Sequence, residues 1–531
     1  MSNENLAQFL MSRIEGTPDK VYLQFEQEKI TYEGLYNRVI KTAAGFYELG
    51  IRKEDKVCVM LNNSPEYLDI WFALSTLEAT IVPLNVHIKG EGLRYILSHS
   101  ECKAIVLEEQ YMKQILECLP SISKTIQMIV KGQKKNDIRQ EKGIEISTIR
   151  LEQLLLHNHQ YVPNSSFSSK TINSILYTSG TTGLPKGVML SHAAYINAAQ
   201  AFAEKMVHAR SEDILFTTLP LFHINAQAHT VLGALHVNAT AAMSNRFSAS
   251  RFWDEIRFHG ATIFNSLGSM IPILCKQPEK ESDRNNPARV TACAATPKEF
   301  WREFEERFGV QIIEGYGLTE TTGFCVSNPL AANRISSIGK PFPYVDIKVV
   351  NEKGESLPKG EIGELMIQPL RKNVLMEGYY KMPEKTAEAM KDGWFHTGDR
   401  GYEDEAGYFY FCDRLKQCIR RRGENISSWE IETIIDAHPK VLESAAVGVP
   451  SEVGEEDVKV YIVCKDGESI PYEEIIKWCE ERMAYFMIPR YIQYIECFPK
   501  TATERIQKFK LKEEGIGQAW DREEAGYILK K

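Results

Sequence analysis

The stretch ILYTSGTTGLPKGVMLSH, residues 175–192, decides how this chain is read. Ile175, Leu176 and Tyr177 read as the end of a buried strand, and Ser191 stands where it can cap a helix beginning at His192 and Ala193. The segment between them is too polar to pack. Thr178, Ser179, Thr181 and Thr182 bring four hydroxyls, Gly180, Gly183 and Gly187 let backbone N–H groups turn into one concavity, and Lys186 adds a fixed positive charge. Such a loop cradles an anion, and polyphosphate is its natural guest. It is not a Walker A loop, which needs G-x-x-x-x-G-K-[ST]; here Lys186 stands between Pro185 and Gly187.

Around this loop, apolar runs such as KVCVM (56–60), AIVL (104–107), DILFTTL (213–219), ATIFN (261–265) and VQIIEGY (310–316) alternate with amphipathic segments at 32–49 and 297–308. That rhythm predicts βαβ units and a mostly parallel sheet covered on both faces, an α/β fold. From 335 to 411 short alternating strands with turn residues replace it and predict a small β-barrel-like subdomain. The chain beyond 414 reads as basic stretch, helix, two strands, helix; its length of about 115 residues suffices for a separate α+β domain. The expected division is a large domain over 1–414 and a small carboxy-terminal one over 415–531. The polar stretch 131–169 reads as a surface excursion.

A chain of 531 residues needs more than one core. Its net charge of -8, with no long basic stripe, argues against a general nucleic-acid binder. No apolar run approaches a bilayer's thickness and residues 1–16 do not resemble a signal peptide, so the cytoplasm is the expected compartment. The 11 cysteines form no C-x-x-C pair and read as buried free thiols.

Several separated motifs then fall into one order: YTSGTTGLPKG (177–187), LPLFH (219–223), EGYGLTE (314–320), GWFHTGD (393–399), DRLKQCIRRRGENIS (413–427) and FPKTATERIQKFKL (498–511). With them the chain resembles, nearly end to end, the superfamily of adenylate-forming enzymes: acyl-CoA synthetases, luciferases and the adenylation domains of peptide synthetases. In LPLFHINAQ, FSASRFW and RRRGENIS it looks most like the crotonobetaine/carnitine-CoA ligase branch.

The resemblance implies two half-reactions using ATP, Mg²⁺ and coenzyme A. A carboxylate attacks the α-phosphorus to give an acyl-adenylate and pyrophosphate; a thiol then displaces AMP. Charge develops around phosphorus, so cations and oriented donors are needed there. The resemblance assigns Thr178, Ser179, Gly180, Thr181, Thr182, Gly183 and Lys186 to the phosphate cradle. Within Glu314, Gly315, Tyr316 and Gly317 it gives Tyr316 to adenine; it gives Thr319 to phosphate and Glu320 to Mg²⁺. Asp399 would accept from the ribose hydroxyls, and Arg414 would contact ribose and phosphate. His223 would gate the acyl pocket, with Asn225, Gly268, Ala292 and Ala295 as lining. Lys416 falls at the hinge where the small domain would rotate. Gly423, Glu424 and Asn425 would wall the pantetheine tunnel, while Arg420, Arg421 and Arg422 would either meet CoA phosphates or form a solvated face.

One departure matters. Where the family carries P-K/R-T-x-x-G-K, this chain reads Pro499, Lys500, Thr501, Ala502, Thr503, Glu504, Arg505, placing Arg505 in the catalytic lysine's position. A forked guanidinium is not a compact ammonium, though it can bridge phosphate and carboxylate; Lys508 or Lys510 could lend the charge instead. The leading expectation is an ATP-dependent carboxylic acid–CoA ligase, compatible with a homodimer. The rivals are a catalytically weak acyl-adenylate or AMP binder and an enzyme that loads a carrier protein.

Overall fold

A computed structural model describes residues 5–118, 127–132, 137–141, 144–155, 161–162, 168–178, 184–414, 418–465, 467–499 and 506–529, with backbone alone at 137–141, 144–147, 413, 414, 418 and 429.

The continuous apolar runs form strands buried on both faces, as parallel strands require. One nine-stranded sheet runs Lys340–Pro341, Gly323–Ser327, Gln311–Leu318, Val290–Ala294, Ile263–Leu267, Ile214–Thr217, Thr240–Met243, Val21–Phe25, Glu28–Thr31. Its interior pairings are parallel and its edge pairings antiparallel. A second sheet of nine strands is built around Thr80–Pro83, Lys56–Met60 and Ala104–Glu108, which pair in parallel. Between the sheets lie helices such as Pro65–Thr76, which is buried at every position but Glu66 and stacks Trp71 edge-on against Tyr195 of the helix His192–Gln200. A helix apolar all round belongs in such an interior layer.

The predicted β segment forms an open five-stranded sheet from Val345–Val350, Gly363–Pro369, Met390–Lys391, Trp394–Glu403 and Phe409–Arg414. Not all of 335–411 joins it: Lys340–Pro341 extends the first large sheet and Gly378–Tyr379 the second. The carboxy-terminal α+β domain has the hairpin Cys418–Arg421/Glu424–Ser427 and a four-stranded sheet led by Val441–Pro450 and Glu456–Cys464, with its own core around Ile431, Val460 and Ile476.

Part of 131–169 is not a mere excursion. Ile144–Arg150 adds a parallel strand to the second sheet, and Leu151–Leu155 buries Leu154 so closely that a Cβ on Gly45 would lie 3.0 Å from the Leu154 backbone. Most cysteines are buried as expected, but Cys412 and Cys497 are exposed. No helix among the described residues is long and apolar enough to cross a membrane.

Candidate active site

The anion loop closes a hairpin. Ile172–Thr178 pairs antiparallel with Lys186–Ser191, Lys186 facing Thr178, and the helix starts only after that second strand. A direct passage from loop into helix, as the quoted stretch suggests, is therefore corrected. Ser191 does sit at the N-cap in an extended conformation, yet its hydroxyl makes no capping bond. Of the cradle residues, Thr178 and Lys186 are described; Ser179, Gly180, Thr181, Thr182 and Gly183 lie outside the described residues.

Thr178 and Lys186 line a cavity of about 1260 Å³. At this end the Lys186 Nζ donates to the Tyr379 hydroxyl at 3.0 Å and sits 4.1 Å from that ring's centre, while the Tyr379 hydroxyl donates to Glu320 Oε1 at 2.8 Å. Burial, with Glu320 beside it, pushes the Tyr379 phenol well above its ordinary pKa, so it keeps its proton. The ammonium, phenol and carboxylate thus form one fixed chain. Sequence reading missed Tyr379: it lies on the two-residue strand Gly378–Tyr379, whose partner Lys186–Ser191 is far away in sequence.

The segment EGYGLTE divides. Gly317, Thr319 and Glu320 line the cavity. Glu314 does not: it is buried, accepts from the backbone N–H groups of Ala295 and Thr296 and the Thr296 hydroxyl, and burial raises its pKa to about 7. It holds the turn after Val290–Ala294, where Ala295 takes a φ of 62°. Gly315 is enclosed as well, with Met206 and Phe324 within 2.8 Å of where a Cβ would stand. Tyr316 packs in the main core, stacked on Phe411, and its hydroxyl donates to Asp399 Oδ2 at 2.7 Å. Here the ring is a core aromatic that orients Asp399, which does line the cavity.

At the other end His223, Asn225, His229, Leu267, Ala294 and Phe324 meet the cavity. Asn225 opens a π-helical segment, Asn225–Val231, whose wide turn brings His229 to the same side. His229 stacks between Phe202 and Phe324, and its Nε2 accepts from the Phe324 N–H at 3.3 Å. Burial lowers its pKa to about 3, so it is neutral. Gly268, Ala292 and Ala295 are not in the wall: Ala292 is wholly buried in its strand, and a Cβ on Gly268 would fall 1.8 Å from the Ala295 carbonyl oxygen. Ala294 and Leu267, paired in register, take their place.

The carboxy-terminal domain supplies the last wall through Arg420, Gly423, Glu424 and Asn425. Glu424 Oε1 lies 3.1 Å from His223 Nε2 and accepts from Asn85 Nδ2 at 3.2 Å. Asn85, in VPLNVH, is a second residue sequence reading missed; a polar side chain two residues past a buried strand was its signal. The three arginines part company. Arg421 is buried against Asp457 and the Phe486 and Ile488 carbonyls, a structural role, and Arg422 is exposed. Lys508, offered as a stand-in cation, is engaged by Glu432 and Ser428 within its own domain. Lys416 and Arg505, and the side chain of Arg414, lie outside the described residues; the Arg414 backbone pairs with Asp399.

The sequence pattern of the AMP-binding enzyme family matches residues 10–380, and that of the AMP-binding enzyme C-terminal domain matches 430–505. A crotonobetaine/carnitine–CoA ligase of Salmonella agona (strain SL483) is 34% identical over 508 residues, covering 93% of this chain and 96% of that protein. Among solved structures, an o-succinylbenzoate CoA synthetase of Bacillus subtilis superposes with a TM-score of 0.82 at 23% identity, covering 96% of this chain and 98% of that one. The amide bond synthetase McbA of Marinactinospora thermotolerans gives 0.83 at 21%, covering 96% and 99%. At such identities these two likenesses speak for the fold.

Proposed function

This chain belongs to the AMP-binding enzyme family, and from that premise we propose that it is an AMP-forming carboxylic acid–CoA ligase. The observation that carries the reading is the single cavity joining the Lys186–Tyr379–Glu320 chain to His223 and to the Gly423–Glu424 turn of the carboxy-terminal domain. One space then holds the polyphosphate, the acid and the incoming thiol.

In the first half-reaction, Lys186 and Thr178 neutralise and orient phosphate oxygens, Thr319 donates its hydroxyl, and Asp399 accepts from the ribose. Arg505 supplies the cation that bridges carboxylate and α-phosphate, a role argued from the sequence. Glu320 fits Mg²⁺: its Oε2 has no partner among the described residues, and one carboxylate beside phosphate oxygens is an ordinary setting for that ion. Bound there, Mg²⁺ would offset phosphate charge. In the second half-reaction Glu424, held by Asn85, fixes the His223 ring at the mouth of the thiol's path.

The relatives' name suggests a small acid of the carnitine or crotonobetaine kind as substrate, and the cytoplasm is the compartment proposed for this chemistry. Acid-dependent exchange of labelled pyrophosphate into ATP, followed by AMP release on adding CoA, tests the reading. Tight AMP binding with no exchange on any acid would leave the weak-binder alternative standing.

A further inference from the structure

We propose that the acyl end of the cavity selects acids carrying a neutral hydrogen-bond acceptor, a carbonyl or ether oxygen, and that Asn225 is the residue that reads it. The inference rests on the ligase reading, and within it favours a neutral acceptor over the quaternary ammonium acid that the relatives' name suggests.

The argument begins with Asn265, which sits within the strand Ile263–Leu267, is 2% exposed, and occupies a place where an apolar side chain would pack. Its amide nitrogen donates to Asn225 Oδ1 at 2.7 Å and to Thr230 Oγ1 at 3.1 Å. With its oxygen engaged, the half-buried Asn225 amide turns its NH₂ the other way, onto the cavity it lines, and no described side chain takes those two hydrogens.

The surroundings fit an uncharged guest. On the elements around Asn225, the lining residues Ile224, the neutral His229 ring with Phe324 stacked on it, and the register pair Leu267 and Ala294 carry no charge, while His223, two residues away, is engaged by Glu424. An acceptor oxygen takes one of these hydrogens, whereas a hydrocarbon desolvates the NH₂ and takes neither. A quaternary ammonium meets the positive end of the amide dipole, where a carboxylate would be wanted. Asn265 is a positioning residue, acting through Asn225.

Pyrophosphate exchange on matched acids tests this: pentanoate against 4-oxopentanoate, hexanoate against 5-oxohexanoate, and crotonobetaine. In the parent, an oxo acid should exceed its hydrocarbon partner in kcat/KM by about tenfold or more. Asn225→Leu should bring that ratio near one, and Asn265→Ala should lower it. Asn225→Asp, of the same shape, should depress the oxo acids and raise crotonobetaine. AMP binding reports folding in each variant, and if Asn225→Leu fails to fold, Asn225→Asp decides. A parent that favours the hydrocarbon or crotonobetaine overturns the proposal, as does a folded variant with an unchanged ratio. Failure to exchange with any acid sinks the ligase reading and this inference with it, an outcome distinct from exchange without preference.

Discussion

Glu424 of the carboxy-terminal domain lies 3.1 Å from His223 of the amino-terminal one, a hydrogen bond spanning two separately folded units at the wall of one cavity. Burial alone would raise the Glu424 carboxyl, but His223, His87 and Asn85 outweigh it and hold the group below the ordinary carboxylate range. This pair exists only while the small domain stands as it does here. Glu424→Gln should therefore slow thioester formation roughly tenfold more than adenylation, as expected when a charged hydrogen bond worth about 1.5–3 kcal/mol is weakened. Single-turnover AMP release on adding CoA, set beside pyrophosphate exchange, measures the difference; equal losses in both would dissociate the pair from the thiol step.

Tyr379 ties Lys186 to Glu320 through one hydroxyl. Tyr379→Phe removes both bonds while keeping the ring under the lysine, and adenylation should fall by about tenfold or more. Exchange kinetics at varied ATP should show it, and parental kinetics would reduce the tyrosine to packing.

For Arg505 the expectation is asymmetric. Arg505→Ala should cost about a hundredfold in pyrophosphate exchange, on the scale of losing one charge-stabilising donor, and Arg505→Lys should restore much of it. A variant lacking any cation there yet exchanging at the parental rate would remove Arg505 from the reaction.

His192 and His229 are wholly buried and neutral, burial depressing each pKa to about 3. A depressed histidine contributes stability that is present above the unfolded pKa of about 6.5 and is lost as pH falls toward the folded value. Together they take up two protons on unfolding near pH 5, a slope of up to about 2.7 kcal/mol per pH unit. Carboxyls raised by burial, Glu314 among them, bind protons in the folded state over the same range and oppose this, so the readout is a difference: between pH 7 and pH 5 the parent should lose about 1.4 kcal/mol per pH unit more than His192→Gln, and equal pH dependence in the two would contradict it.

Gly317 passes so near its neighbour that a Cβ would lie 2.0 Å from the Gly323 carbonyl oxygen. Gly317→Ala should destabilise by about 1–3 kcal/mol and weaken nucleotide binding, since the displaced backbone lines the cavity. Melting temperature and AMP affinity should fall together.

The sequence made the cradle's chemistry legible because hydroxyls, glycines and a lysine in one polar run admit few other uses. The buried strands were legible for a similar reason: runs such as KVCVM and VQIIEGY match observed strands to within a few residues. What stayed hidden depends on partners remote in the chain. That Lys186–Ser191 is a strand follows from pairing with Ile172–Thr178 on one side and Gly378–Tyr379 on the other, and the second of these gives no local sign. For Tyr316, a core aromatic at a strand end is the commoner fate, and the glycines on either side argue for the adenine role instead; the packing of Phe411 and the bond to Asp399 place the ring in the core. The resemblance implies Ala292 as lining, but its register opposite Asn265 and Ile313 buries it. Asn265 escaped notice altogether, since one asparagine in an apolar strand becomes informative only with Asn225 and Thr230 in view.

The bond from Tyr316 to Asp399 joins the first large sheet to the small five-stranded one. The proposed ribose seat is thus shared by two sheets that need not soften at one temperature. Warming should silence the enzyme before it melts it: a loosened small sheet withdraws its carboxylate while the larger layers still scatter, fluoresce and exchange amides as a native protein does.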